Sequence, residues 1–161
     1  FFFQAVQASL LPRLSALAGV GKYDEMWHEL RHLLTLVVAA GGLAVVGFGL
    51  LGPFVVETAF GSGFAVSSRD MALLAVSSAG LMVALTFAQA LIACRAQGRM
   101  ALSWAAGVAT FPIAVSFGSD LFLRVEVALI ASVFVSSILM ALILERRLRG
   151  EGVTIGKNGS G

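Results

Sequence analysis

Charge is scarce in this chain, and over four long stretches it is missing. No Asp, Glu, Lys or Arg interrupts Leu33 to Val56, Met71 to Cys94, Met100 to Ser119 or Val127 to Leu144, which are runs of 18 to 24 residues within 161. Charged residues are 12% of the whole, against about a quarter in soluble domains. With 58% apolar residues and a mean hydropathy of +0.94, this excludes an ordinary water-soluble core. Cysteine is nearly missing as well. Cys94 stands alone, so one copy can build neither a disulfide framework nor a cysteine metal site. There is no Gly-Lys-Ser/Thr, and no third glycine follows Gly61-Ser62-Gly63 at dinucleotide spacing, so that segment reads as a turn and not as a phosphate loop. The net charge of +2 is spread over short gaps between apolar runs and forms no patch, which removes nucleic acid as an expected partner.

What remains is a pattern made for a bilayer. A 24-residue helix rises about 36 Å, enough to cross the hydrocarbon core. Backbone polar groups cannot go unpaired in lipid, so spans of this length must be helices and the fold all-α. The chain opens on Phe1, Phe2 and Phe3 inside an apolar run, with no basic residue before Arg13 to make a secretory signal. Residues 1–20 therefore read as a fifth span, part of a longer protein. The expected spans are about 1–20, 33–56, 71–94, 100–119 and 123–144, followed by a glycine-rich tail over 146–161 expected to be mobile.

Five crossings place alternate connections on opposite sides. One side then holds Lys22, Arg31, Arg95, Arg99, Arg146, Arg147, Arg149 and Lys157, the other only Arg69 and Arg124. Translocated segments avoid Lys and Arg, so the richer side is expected to be cytoplasmic, with the first span running inward and the carboxyl end inside. Asp24 or a neighbour can start a helix that puts Met26, Leu30, Leu33 and Leu34 on one face, an amphipathic approach to the second span. Ser67 or Ser68 can cap the helix after the Gly61 turn.

Candidate functional residues are few. Ser78, Thr86 and Gln89 fall within roughly 80° of one another on the third span, while Gly80, Ala84 and Ala88 line its opposite side. Small residues admit a neighbouring helix; the polar ones either bond between helices or border a wetted cavity. Gln4, Gln7 and Ser15 share a side of the first span, which also holds Pro12 and Arg13. An intramembrane arginine costs about 2.5 to 3.5 kcal/mol on insertion scales. Either it snorkels to the nearby cytoplasmic interface, or its planar fork faces a cavity and pairs with a phosphate. Pro12, Pro53 and Pro112 are candidate hinges or kinks.

His28-Glu29-Leu30-Arg31-His32 matches the H-E-x-x-H zinc pattern letter for letter. Arg31 opposes a metal, however, and the acidic candidates for a third ligand, Glu57, Asp120 and Glu126, belong to the opposite side. The match is read as coincidental, and no metal, cofactor or enzymatic activity is expected.

The order of several short motifs resembles the second half of a polysaccharide or lipid-linked oligosaccharide flippase of the multidrug/oligosaccharidyl-lipid/polysaccharide exporter superfamily. The residues that carry the resemblance are Gln7-Ala8-Ser9-Leu10-Leu11-Pro12-Arg13-Leu14-Ser15, then Leu51-Gly52-Pro53 and Phe60-Gly61-Ser62-Gly63-Phe64, then Gln89-Ala90-Leu91-Ile92-Ala93 with Gly98-Arg99. Together they cover most of residues 1–145. The resemblance implies a two-lobed transporter of which this chain supplies the eighth to twelfth helices, the partner being an amino-terminal lobe of the same protein. It further implies alternating access, in which a lipid-linked saccharide crosses the plasma membrane headgroup first for cell-envelope polysaccharide export. Under it, Arg13, Gln4, Gln7, Ser78, Thr86 and Gln89 are the candidate substrate contacts. A drug or organic-cation antiporter of the same superfamily would want an acidic residue inside the membrane, and the four uncharged runs lack one. A non-transporting membrane scaffold is the remaining alternative.

Overall fold

A computed structural model describes residues 2–61, 63, 66–117 and 120–158, with side chains placed over 11–61, 63, 66–117 and 120–148. It consists of five α-helices, and no strand occurs among the described residues: α1 Phe2–Gly19, α2 Tyr23–Phe60, α3 Ser68–Ala93, α4 Gln97–Val115 and α5 Leu121–Asn158. The all-α bundle expected from the uncharged runs is what forms.

The turns follow from a few local residues. After α1, Gly21 adopts φ 73°, its N–H bonds Ala18 O at 3.2 Å and the Lys22 N–H bonds Leu17 O at 3.0 Å, the paired bonds of a Schellman stop. The same arrangement ends α3, where the Ala96 N–H reaches Leu91 O at 2.8 Å and the Arg95 N–H reaches Ile92 O at 3.0 Å. Here a non-glycine, Arg95, takes the left-handed position at φ 54°. Gly98 and Arg99 already lie in the first turn of α4. Ser67 accepts the Asp70 N–H at 3.1 Å and caps α3, and Asp120 Oδ1 does the same for α5 through Phe122 N at 3.0 Å.

α2 starts at Tyr23, ten residues ahead of the apolar run, so the amphipathic approach and the span are one continuous helix. Met26 and Leu30 on its inner face are fully buried. α5 likewise continues past residue 144, its backbone helical to Asn158; the side chains beyond Leu148 lie outside those described.

α3 is the centre of the array. α2 packs along one side of it and α5 along another, α4 packs mainly on α5 and also touches α3, and α1 touches α3 and α2. The small residues of α3 do face α5: a Cβ at Gly80 would sit 3.1 Å from Val133 Cγ1, and Ala84 is fully buried. Closer still is α4 on α5, where a Cβ at Gly107 would overlap Ser136 Oγ and come within 2.6 Å of Ser132 O. On the other side of the array, a Cβ at Gly41 of α2 would meet Ala79 Cβ at 2.6 Å. Close contact of this kind, more than transfer from water, holds helices together in lipid, where the surroundings are as apolar as the core.

The connections sort onto two ends. At one, Cys94 Sγ lies 4.0 Å from Met26 Sδ, and Arg147 Nη1 donates to Cys94 O at 3.3 Å, joining the start of α2, the end of α3 and the far part of α5. Leu14, Met26, Leu30, Leu91, Ala96, Met140 and Leu144 form the buried core there. At the other end Gly52 of α2 meets Met71, and Arg69 of α3 approaches Asp120 at 3.9 Å.

Among the described residues, three helices are long and apolar enough to cross a membrane: α2, α3 and the Leu121–Leu148 segment of α5. Their outer faces are bare. On α2 alone Leu43 and Leu50 are 76% and 75% exposed, in company with Leu36, Val46, Phe48, Phe54 and others. Soluble monomers do not show apolar surface on this scale, whereas acyl chains cover it without loss. The chain is a membrane protein, with these faces against lipid.

Candidate functional site

Arg13 projects from α1, which continues helical through Pro12. Its guanidinium meets Glu29 of α2, Nη2 to Oε1 at 2.8 Å, with the Arg13 side chain 68% exposed. The pair borders an open cleft of about 530 Å³ between the two helices, also lined by Asp24, Glu25 and His28. Lys22 engages Glu25 at 2.8 Å. Arg13 is therefore paired with an acid through one nitrogen while the rest of its guanidinium stays exposed. An anion entering the cleft meets Glu29, Asp24 and Glu25 beside the guanidinium, whereas a substrate bearing both charges meets complementary groups.

The zinc-like motif lies on the same stretch of α2. His28 and His32 are exposed, Glu29 is taken up by Arg13, and among the described residues no three His, Cys, Asp or Glu side chains are grouped to hold a metal ion.

Of the polar residues on α3, Ser78 opens onto a groove between α2 and α3, of about 650 Å³, whose walls are Leu33, Val37, Gly41, Phe48, Ala75 and Met82 among others. Its hydroxyl donates to Leu74 O at 2.9 Å. Thr86 is instead buried, with Oγ1 bonded to Met82 O at 2.8 Å. Gln89, half-buried, keeps an Oε1 that is shielded from solvent and without a hydrogen-bond partner. The structure thus separates Ser78, some 16 Å of helix rise from Gln89, and does not gather the three around one cavity. Gln4 and Gln7 lie outside the described side chains; Ser15 is exposed on α1. Pro53 and Pro112 sit within α2 and α4, both continuous across them.

The serines of the α4 and α5 seam satisfy themselves locally. Ser103 donates to Arg99 O at 3.0 Å, Ser136 to Ser132 O at 3.0 Å and Ser137 to Val133 O at 2.8 Å. Each hydroxyl folds back on its own helix, keeping the seam thin without demanding a partner across it.

One buried group escaped the sequence reading. Glu126 stands one residue ahead of the uncharged run of α5, yet it is only 5% exposed, and its Oε2 has no hydrogen-bond partner. The signal was present in the helical phase. Counting by sevens and fours, residues 126, 133, 137, 140 and 144 share a face, and from Ser137 onward these are the buried residues of α5.

The chain matches no protein-family model, no curated protein and no solved structure.

Proposed function

We propose that this chain is the carboxyl-terminal part of a transporter of the plasma membrane that moves a lipid-linked saccharide across the bilayer by alternating access, as a step in cell-envelope polysaccharide export. The observation that carries the reading is the pairing of an apolar groove on the lipid side with a charged cleft at the arginine-rich end. The α2 and α3 groove is open along lipid-facing helices and suits an acyl or prenyl tail. The Arg13 cleft is open and edged by the charged side chains of Arg13, Asp24, Glu25 and Glu29, and suits a headgroup. In this reading Arg13 exchanges Glu29 for a phosphate oxygen, the multi-pass chain keeps its arginine-rich end and carboxyl terminus in the cytoplasm, and an amino-terminal lobe supplies the facing wall. The motif order shared with polysaccharide flippases supports it. Such a task needs no covalent step, since the barrier is the desolvation of the headgroup in hydrocarbon.

A specific observation favours a second reading. Cation antiporters of the same superfamily need an intramembrane acid, and Glu126 is buried within α5. Reconstitution separates the two. With the complete protein in vesicles, a fluorescent lipid-linked saccharide is expected to change leaflet, and Arg13→Gln to slow that movement about tenfold or more, the loss of one charge-assisted contact. Expulsion of cationic dyes with no movement of the saccharide replaces the flippase reading with the antiporter.

A further inference from the structure

The charged cleft and the apolar groove lie along one stripe of α2. Glu29 edges the cleft, and Leu33, Val37, Gly41, Ala44 and Phe48 line the groove. Steps of three or four residues put these side by side on the helix, so the groove begins a single turn beyond the cleft. A molecule with a charged head and an apolar chain can lie along both.

The cleft also stands at the level of a leaflet boundary. Arg13 is six residues, about 9 Å of rise, from the Gly19 end of α1. At the same end Tyr23 and Trp27 are half-buried against the core, the depth at which aromatic side chains gather between headgroups and acyl chains. Ala16 and Leu17 give the cleft an apolar wall.

Its charges are of both signs. Arg13 meets Glu29 through Nη2, and among the described residues no second acid takes its remaining N–H groups. Glu25 is answered by Lys22 at 2.8 Å. Asp24 is exposed and makes no ion pair among the described residues. One guanidinium therefore stands beside two acids, Glu29 and Asp24. A simple anion is opposed by the carboxylates and a simple cation by the arginine, whereas a phosphate and an ammonium joined by a short bridge answer both. A primary ammonium fits best, because its three N–H groups donate to carboxylates. A trimethylammonium donates nothing and needs open aromatic faces, while Tyr23 and Trp27 are packed on the core.

We propose that the cleft binds a bilayer phospholipid of the phosphatidylethanolamine class: its phosphate on the remaining N–H groups of Arg13, its ammonium on Asp24 and Glu29, and one acyl chain passing Leu33 into the α2 and α3 groove. The site rests on the cleft and the groove and not on the cargo. Under the transport reading, this lipid is the occupant that an arriving headgroup displaces.

Thermal unfolding of the complete protein, stripped of lipid in a neutral detergent, is followed while a short-chain phosphatidylethanolamine is added, with phosphatidylcholine and phosphatidylglycerol of the same chains in parallel. The ethanolamine lipid is expected to raise the melting temperature to a plateau, half-saturating at a concentration about tenfold lower than the other two. Arg13→Gln and Asp24→Asn should each weaken that half-saturation about tenfold, while Glu57→Gln, exposed at the far end of α2, leaves it unchanged. Glycerophosphoethanolamine, the same headgroup without chains, separates a lipid from a soluble zwitterion and should give no plateau in that range. An equal response to the three lipids, a plateau that either cleft variant leaves untouched, or one matched by the chainless headgroup overturns the proposal. Arg13 and Asp24 are both exposed, so the variants leave the buried core intact. No saccharide is present, so the outcome is separate from that of the leaflet-movement assay.

Discussion

Gly107 is the position where one atom matters most. A methyl group there would strike Ser136 Oγ and the Ser132 carbonyl, both on α5, and the second is backbone that cannot rotate aside. Gly107→Ala is therefore expected to destabilise the bundle by about 1 to 3 kcal/mol, the usual cost of overfilling a close seam. Gly42→Ala, with nothing within 4 Å of the added atom, should leave stability unchanged or raise it by up to about 1 kcal/mol through helix propensity. Denaturation titrated with an ionic detergent in mixed micelles compares the two; equal midpoints would show that the α4 and α5 seam has room for a methyl group. Single residues were also where the sequence spoke least. Arg13 stood out as an intramembrane cation, but its partner Glu29 belongs to another helix, and only packing brings them to 2.8 Å. Thr86 and Ser78 share a helical sector, yet packing buries one and leaves the other open to the groove beside α2. Angular position on an isolated helix does not say which neighbour arrives.

Helices themselves were far more legible, because a run without charge and a stop signal are local properties. The three longest uncharged runs correspond to stretches of α2, α3 and α4, and the fourth lies inside α5. Boundaries shifted where a polar segment still favoured helix: α2 gains ten residues because Asp24 and Glu25 suit a helix amino terminus and Met26 and Leu30 reach the core. The stop after α3 was harder to read, since Arg95 rather than a glycine occupies the left-handed position. α2 also has two unlike faces, and they should respond differently. Leu30→Ala opens a hole in a fully buried site and is expected to cost about 2 to 5 kcal/mol. Leu43, 76% exposed, exchanges one lipid contact for another, so Leu43→Ala should shift stability by under about 0.5 kcal/mol. The same detergent titration checks both. Similar losses would mean that a second protein surface, and not lipid, covers the outer face of α2.

The arrangement of the five helices adds what no single run could show. Contacts place the Gly21 and Arg95 turns and Arg147 together, and set Arg69, Asp120 and Arg124 at the opposite end. That division coincides with the count of eight basic residues against two made along the sequence. A bilayer spanning the apolar middle would thus separate two polar ends of different charge, which is the asymmetry that orients membrane proteins. The central claim is that these helices cross, with the arginine-rich end inside. α4 is the strictest place to check it, because it is not among the three helices that length and hydropathy alone carry across, although its first and last turns lie at opposite ends of the array. With Cys94 replaced by serine, Gln97→Cys and Phe117→Cys variants are exposed on intact cells to a membrane-impermeant maleimide. The account expects position 117 to label from outside and position 97 to label only after the membrane is opened; labelling of both from outside, or of 97 alone, would contradict it.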